Sequence, residues 1–446
     1  MSEKSLNMQG KSVTRTGLKK KPPSGYCLSI MNHLKCCVGS GIFALGFAFK
    51  NAGMILGPPI LVVLGLVALH CQHMLLQCGQ EVEKHIGRRP DLAETGEGVF
   101  KYGPEKVRNM QKCMKVFSNV LLIVTQTGVL CIYTVFFADS MMRVAEHWGY
   151  TDLSIQMWVL IAFPPIVISS SLLGNLMLVG FLSLFANILV LLGIIITIYL
   201  TSTNLPEEYT FEWIGNMLQL PMFISIGILS FTAIQVVLPI YIEIDDPAKV
   251  SSFFGVLNMA LLIEMVLTIL IGVLSYLKYG KDCRGSVTLN FENGIAAQIV
   301  VICVGISVML SYTLNIYVVI EALFPIMAEK WGPFRFPRLG IFLFRLGCII
   351  FTFILSWTLP MLGQIVALAG ALGNTSLSII FPAFFHVVLM WEKSSVCIKI
   401  KDFLILFLGI FSLIAGLVAA ILDIIKEIDK VYNPQQSTTI PSTATT

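Results

Sequence analysis

Apolar residues in this chain gather into runs of about 20, parted by short stretches that hold most of the charge; a helix needs about that many apolar residues to cross a bilayer core. Such runs fall at about residues 26–50, 53–79, 113–137, 155–173, 176–200, 219–241, 251–277, 294–325, 339–357, 362–390 and 402–424. They predict an all-α polytopic membrane protein with eleven transmembrane helices. The first run is long and follows about 25 polar, basic residues, so it is read as a retained span and not a cleaved leader. The chain divides into a disordered tail (1–25), one transmembrane domain (26–424) and a second tail (425–446).

Two runs are interrupted. The first carries Gly39-Ser40-Gly41 and then Gly46, and the sixth carries Pro221, Gly227, Ser230, Thr232, Gln235 and Pro239. In hydrocarbon every backbone N–H and C=O needs a partner, so a helix breaks only where it is enclosed by protein or lines a cavity. Runs one and six open two successive groups of five, the arrangement of an inverted repeat whose unwound helices face each other, with one helix left over. Unpaired N–H groups at the head of a half-helix can hold a carboxylate. That makes Gly39, Ser40 and Gly41 the candidate carboxylate site, with Ser230 and Thr232 facing the amino group. The alternative is that these small residues only let helices pack closely.

Composition narrows the picture. With 56% hydrophobic and 13% charged residues and a mean hydropathy of +0.82, the chain has the bilayer as its solvent. The net charge of +4 is too small for a nucleic-acid surface. Its distribution is informative: with the N-terminus inside, the segments on the cytoplasmic side hold twenty Lys and Arg and the outer ones six. Positive loops stay in the cytoplasm, so this orientation is expected. Lys19, Lys20 and Lys21 would then meet anionic lipid of the inner leaflet.

Among the remaining chemistry, His33 and Glu264 lie within apolar runs, where an ionisable side chain is a functional candidate by default. Both are proposed to carry protons; the alternative for each is a hydrogen bond between helices. His33 with Cys36 and Cys37, and His70 with Cys71 and His73, lack a fourth metal ligand, so no metal site is assigned. No phosphate-binding loop supports ATP-driven pumping, and no cofactor or enzymatic activity is called for. The sequon Asn374-Thr375-Ser376 falls inside the tenth run, out of reach of glycosylation.

The segment HLKCCVGSGIFALGFAFKNAG (33–53) resembles the first-helix signature of proton-coupled amino acid transporters in the amino acid/auxin permease superfamily. Further similar stretches are LIVTQTGVLCIYTVFFAD (122–139), LSFTAIQVVLPI (229–240), GSVTLN (285–290) and YTLNIYVVIEALFPI (312–326). The resemblance covers about 26–424. It implies a LeuT-type fold, secondary active transport of small amino acids with protons by alternating access, and a plasma, lysosomal or vacuolar membrane location. It also implies a coupling role for His33 and an outer disulfide between Cys131 and Cys283. The chain departs from the family pattern at Leu45-Gly46, where Leu-Pro is usual, and at Phe231-Thr232-Ala233, where Phe-Glu-Gly is usual. Glu264 would partly replace that missing acid. The competing class is an amino acid sensor that keeps the transporter fold and signals through a partner.

Overall fold

A computed structural model of the protein describes residues 25–432 except 38, 151–152, 172–175, 207, 232, 293, 332–336 and 360. Every regular element among them is helical. The first predicted span is divided into α1 (Tyr26–Cys37), α2 (Ser40–Phe43) and α3 (Leu45–Ala52). There follow α4 (Gly57–Ile86), α5 (Leu92–Tyr102), α6 (Gln111–His147), α7 (Ile155–Ser171) and α8 (Leu176–Ser202). The sixth predicted span is divided into α9 (Leu220–Ser230) and α10 (Ile234–Glu243), and a short α11 (Ala248–Ser251) leads into α12 (Val256–Tyr279). The remainder comprises α13 (Ile295–Trp331), α14 (Pro337–Thr358), α15 (Leu362–Ala369), α16 (Phe381–Leu389) and α17 (Val396–Tyr432).

Among the described residues, nine helical runs are long and apolar enough to cross a membrane. The broken first span and the 17-residue α7 are the two predicted runs outside that set. Boundaries differ from the hydropathy reading where a helix projects beyond hydrocarbon. The 37 residues of α6 extend about 55 Å at about 1.5 Å per residue, well past a bilayer core. Likewise α17 runs on to Tyr432, past the predicted end at 424. The stretch between the second and third predicted spans is itself partly helical. It contains α5, started by a capping box in which Asp91 accepts from the Glu94 N–H at 2.8 Å and Glu94 accepts from the Asp91 N–H.

The core is built by α6 and α13 lying side by side, with α8 on the far side of α13. The two broken spans pack on each other and on α12: α3 on α9 and α12, α1 on α10 and α12, with α2 touching α6. At the end where α3 passes to α4, the chain turns at Gly53 with φ of 84°, and a Cβ there would strike the backbone of Ile214 and Gly215. The turn is tied by backbone hydrogen bonds. Met54 and Ile55 donate to Glu212 and Trp213 at 3.0 and 2.9 Å, and Gly215 donates to Ala52 at 3.0 Å. At the other end of α4, Gly87 closes the helix in the left-handed region, its N–H donating to Glu83 at 2.8 Å.

The Gly46 departure has a packing reason. A Cβ at Gly46 would lie 2.9 Å from the Ser275 Cβ of α12 and 3.4 Å from the Cys283 sulfur. Overpacking of this kind costs about 1–3 kcal/mol. Gly46→Ala should therefore lower the melting temperature of the detergent-solubilised protein by several degrees, whereas Gly294→Ala, where a Cβ meets nothing within 4 Å, should leave it unchanged.

Candidate functional site

The two interruptions meet. At the first, α1 stops at Cys37, Gly39 is extended (φ −131°, ψ −149°), and α2 begins at Ser40. The Ala44 N–H donates to Gly41 at 3.1 Å and the Ala48 N–H to Ala44 at 3.0 Å, so α2 and α3 form one outer half joined through a turn. At the second, Phe231 donates back to Ile228 and Ala233 to Phe231, both at 3.1 Å, before α10 resumes. These tight turns satisfy some of the amides released by the break; others at the head of a helix have no partner within it.

A Cβ placed on Gly41 would sit 3.4 Å from both the Cα and Oγ of Ser230, which brings the two candidate segments into direct contact. Gly39 is approached by α6, its would-be Cβ lying 3.3 Å from the Tyr133 hydroxyl. Ser230 is fully buried, its Oγ donating to Ile226 at 3.1 Å. Thr232, the remaining member of the predicted set, lies outside the described residues, as does the side chain of Ser40. Next to them Phe231 faces Gly65 of α4, where Met265 of α12 also arrives.

Both predicted ionisable residues are wholly buried. His33 Nε2 stands 3.1 Å from Gln72 Oε1 on α4, so the amide oxygen accepts and Nε2 carries the proton. Glu264 precedes Met265, which places it on α12 level with the second break. Cys131 and Cys283 are not joined, a correction to the pairing that the resemblance implies. Each is a buried free thiol with its own partner. Cys131 donates to the Thr352 carbonyl at 3.7 Å, packed against α14, and Cys283 donates to the Ser275 carbonyl at 3.6 Å beside Gly46.

Sequence reasoning passed over several residues. Tyr133 lies within the 122–139 stretch but carries no charge or break to mark it. Lys35, three positions before Val38, donates to the carbonyl and hydroxyl of Ser183 on α8, and a lysine in an apolar run was a legible signal. Asn374, the sequon residue, is fully buried, with its Nδ2 3.4 Å from the Ala369 carbonyl. It sits in a π-helical stretch, Gly370–Asn374 and Ser376–Ile380, that joins α15 to α16. This stretch packs against both neighbours of the site: Gly370 lies against the Ser225 carbonyl of α9 and Gly373 against Thr125 of α6. π-helical turns in a helix are frequent at functional sites.

The end of α10 is clamped. Arg89 Nη1 donates to the carbonyls of Tyr241, Ile242 and Ile244 at 2.7, 3.1 and 2.9 Å, and its guanidinium lies 5.3 Å from the Tyr241 ring centroid. The Tyr241 hydroxyl in turn donates to Glu83 at 2.5 Å.

Broken spans meeting inside an integral bundle define a membrane transporter. The chain belongs to the family of transmembrane amino acid transporter proteins, whose pattern matches residues 23–422. It is 29% identical over 401 residues to the proton-coupled amino acid transporter-like protein pathetic of Drosophila melanogaster, covering 88% of this chain and 84% of that one. It is 22% identical over 421 residues to the probable amino acid transporter skat-1 of Caenorhabditis elegans, covering 89% and 90%. The fold is similar to that of Mhp1, a nucleobase-cation-symport-1 family transporter solved in a closed conformation with bromovinylhydantoin bound. That likeness has a TM-score of 0.53 at 13% identity, over 92% of this chain and 94% of Mhp1.

Substitutions at the contact should separate its roles. Gly41→Val, whose branches would enter the space shared with Ser230, should abolish amino acid uptake with the amount of protein in the membrane nearly normal. Tyr133→Phe removes one hydroxyl, and at about 1.4 kcal/mol for a hydrogen bond should raise the half-saturating substrate concentration about tenfold.

Proposed function

We propose that this amino acid transporter carries small amino acids together with protons by alternating access, in a LeuT-type frame of eleven helices built as two inverted groups of five plus one. The observation that carries this reading is the contact of Gly41 with Ser230, which puts both interruptions at one place. The side-by-side packing of α6 and α13, the third and eighth spans, is what a repeat of five requires. In this reading residues 26–424 form the transport domain, the N-terminus is cytoplasmic, the 425–446 tail is outside, and the membrane is plasma, lysosomal or vacuolar. Amides at Gly39, Ser40 and Gly41 receive the substrate carboxylate, since no cationic side chain is needed where backbone N–H groups point at an anion. Oxygens near Ser230 and Thr232 receive the ammonium group.

The coupling proton is assigned to His33 and Glu264. Their complete burial supports this, because a fixed charge in such a place costs at least about 2.5 kcal/mol, while a group that gains and loses a proton can alternate between states. The name of the Drosophila relative points to the same ion. In proteoliposomes, concentrative uptake should be driven by an inward proton gradient and collapse with an ionophore. Glu264→Gln keeps shape and hydrogen bonding but cannot titrate, so it should flatten the pH dependence of uptake, and His33→Ala should do the same. Binding of amino acid without flux would instead make the protein a sensor, and full uptake with unchanged pH dependence in both variants would remove the assignment.

A further inference from the structure

A second set of ionisable groups lies outside the substrate site, on α4, α16 and α17; His386 and Asp402 are buried, and Lys401 and His70 are half-buried at its edge. His386 of α16 has its Nδ1 2.6 Å from Asp402 Oδ2, with the two side chains 7% and 2% exposed. The other carboxylate oxygen of Asp402 lies 3.0 Å from Lys401 Nζ. The same ammonium is 2.6 Å from His70 Nε2 on α4. Four side chains therefore form one line, His386, Asp402, Lys401, His70, crossing three helices.

Donor and acceptor rules fix the protons along it. An ionised carboxylate only accepts, so His386 donates from Nδ1; an ammonium only donates, so His70 accepts at Nε2 and is neutral in this arrangement. The two imidazoles are thus unlike. A proton added to His70 would set a second cation against Lys401 and break their contact. A proton added to His386 forms an imidazolium already hydrogen-bonded to a carboxylate, and no contact in the line is lost. Among the described residues, the other titratable groups near the line are His73, Cys71, Cys78 and Glu81 on α4, with Glu81 paired to Lys84 of the same helix and to Lys393 just past α16. On its remaining side α16 meets α5 through Phe100 and Gly96, which are apolar.

Stability alone is a poor reason for this arrangement, since a buried ion pair is often no better than well-packed apolar residues of the same volume. Its position gives another. His386 stands on α16, which continues the π-helical stretch whose Gly370 and Gly373 press on α9 and α6 beside the substrate contact. At the far end of the line, His70 shares a turn of α4 with Gln72, the partner of His33. We propose that His386 is a further proton-carrying group of the transport cycle, positioned by Asp402 and connected by Lys401 to α4. This rests on the proton-coupled reading above.

The test compares uptake at about pH 5.5 and about pH 7.5, the range in which a histidine side chain changes charge, in proteoliposomes holding equal amounts of protein. His386→Asn keeps a donor where Nδ1 stood but cannot titrate. It should reduce the wild-type ratio of uptake at the two pH values at least threefold. Asp402→Asn leaves the imidazole but removes its carboxylate, and should displace the pH profile by at least half a unit, with amino acid binding in detergent serving as the readout if either variant is poorly reconstituted. A sloped wild-type profile that both variants reproduce would overturn the assignment of His386 alone. A wild-type profile flat in pH would overturn the proton-coupled reading, and this inference with it.

Discussion

The requirement that no backbone amide go unpaired in hydrocarbon governs this molecule more than any side-chain interaction does. Helices that obey it fully, such as α8 and α17, can turn one face to lipid while another packs on the bundle. The two spans that violate it must be enclosed, and the rest of the bundle is arranged accordingly. Tyr133 on α6, Phe231 at the second break, Gly65 on α4 and Met265 on α12 surround the exposed peptide groups with protein. Small residues at the contact points let that enclosure close: Gly41 on Ser230, Gly370 on Ser225, Gly373 on Thr125. In the proposed reading, amides at the head of α2 receive a ligand in surroundings where a hydrogen bond is strong and a missing one costly.

Chemistry in the site follows from the same economy of charge. The described lining of the Gly41–Ser230 contact offers peptide groups, hydroxyls and aromatic rings, with the ionisable residues set apart on α1, α4 and α12. In the proposed reading, separating the place that would hold a zwitterion from the places that would hold a proton lets each be emptied at a different step. A carrier needs that property, because both sides of the membrane must see the same binding groups at different times.

Much of this was legible in the sequence because it is written in residue type. Broken spans appear as Gly-Ser-Gly and as polar residues between prolines, and buried ionisable groups appear as His33 and Glu264 in apolar runs. What was not legible depends on which residues from distant segments meet. Cys131 and Cys283 look alike in sequence, yet one packs beneath α14 and the other behind Gly46. Tyr133 is one aromatic residue among many until Gly39 is placed against it. The departure at Gly46 read as a weakening of the family pattern, whereas the space beside it is occupied by Ser275. Helix ends were also misjudged, since hydropathy marks where hydrocarbon stops and α6, α4 and α17 continue into polar surroundings under hydrogen bonds of their own.

The clamp at the end of α10 has a mechanical consequence. A single nitrogen of Arg89 serves three carbonyls, and Tyr241, which supplies one of them, is itself fastened to Glu83. Because the three carbonyls share one nitrogen of a planar group, a rotation of the guanidinium loosens all of them together. Through Arg89 and Glu83 the end of α10 is tied to the end of α4. Any movement of α10 in a transport cycle would therefore carry the end of α4 with it or would first have to break this attachment.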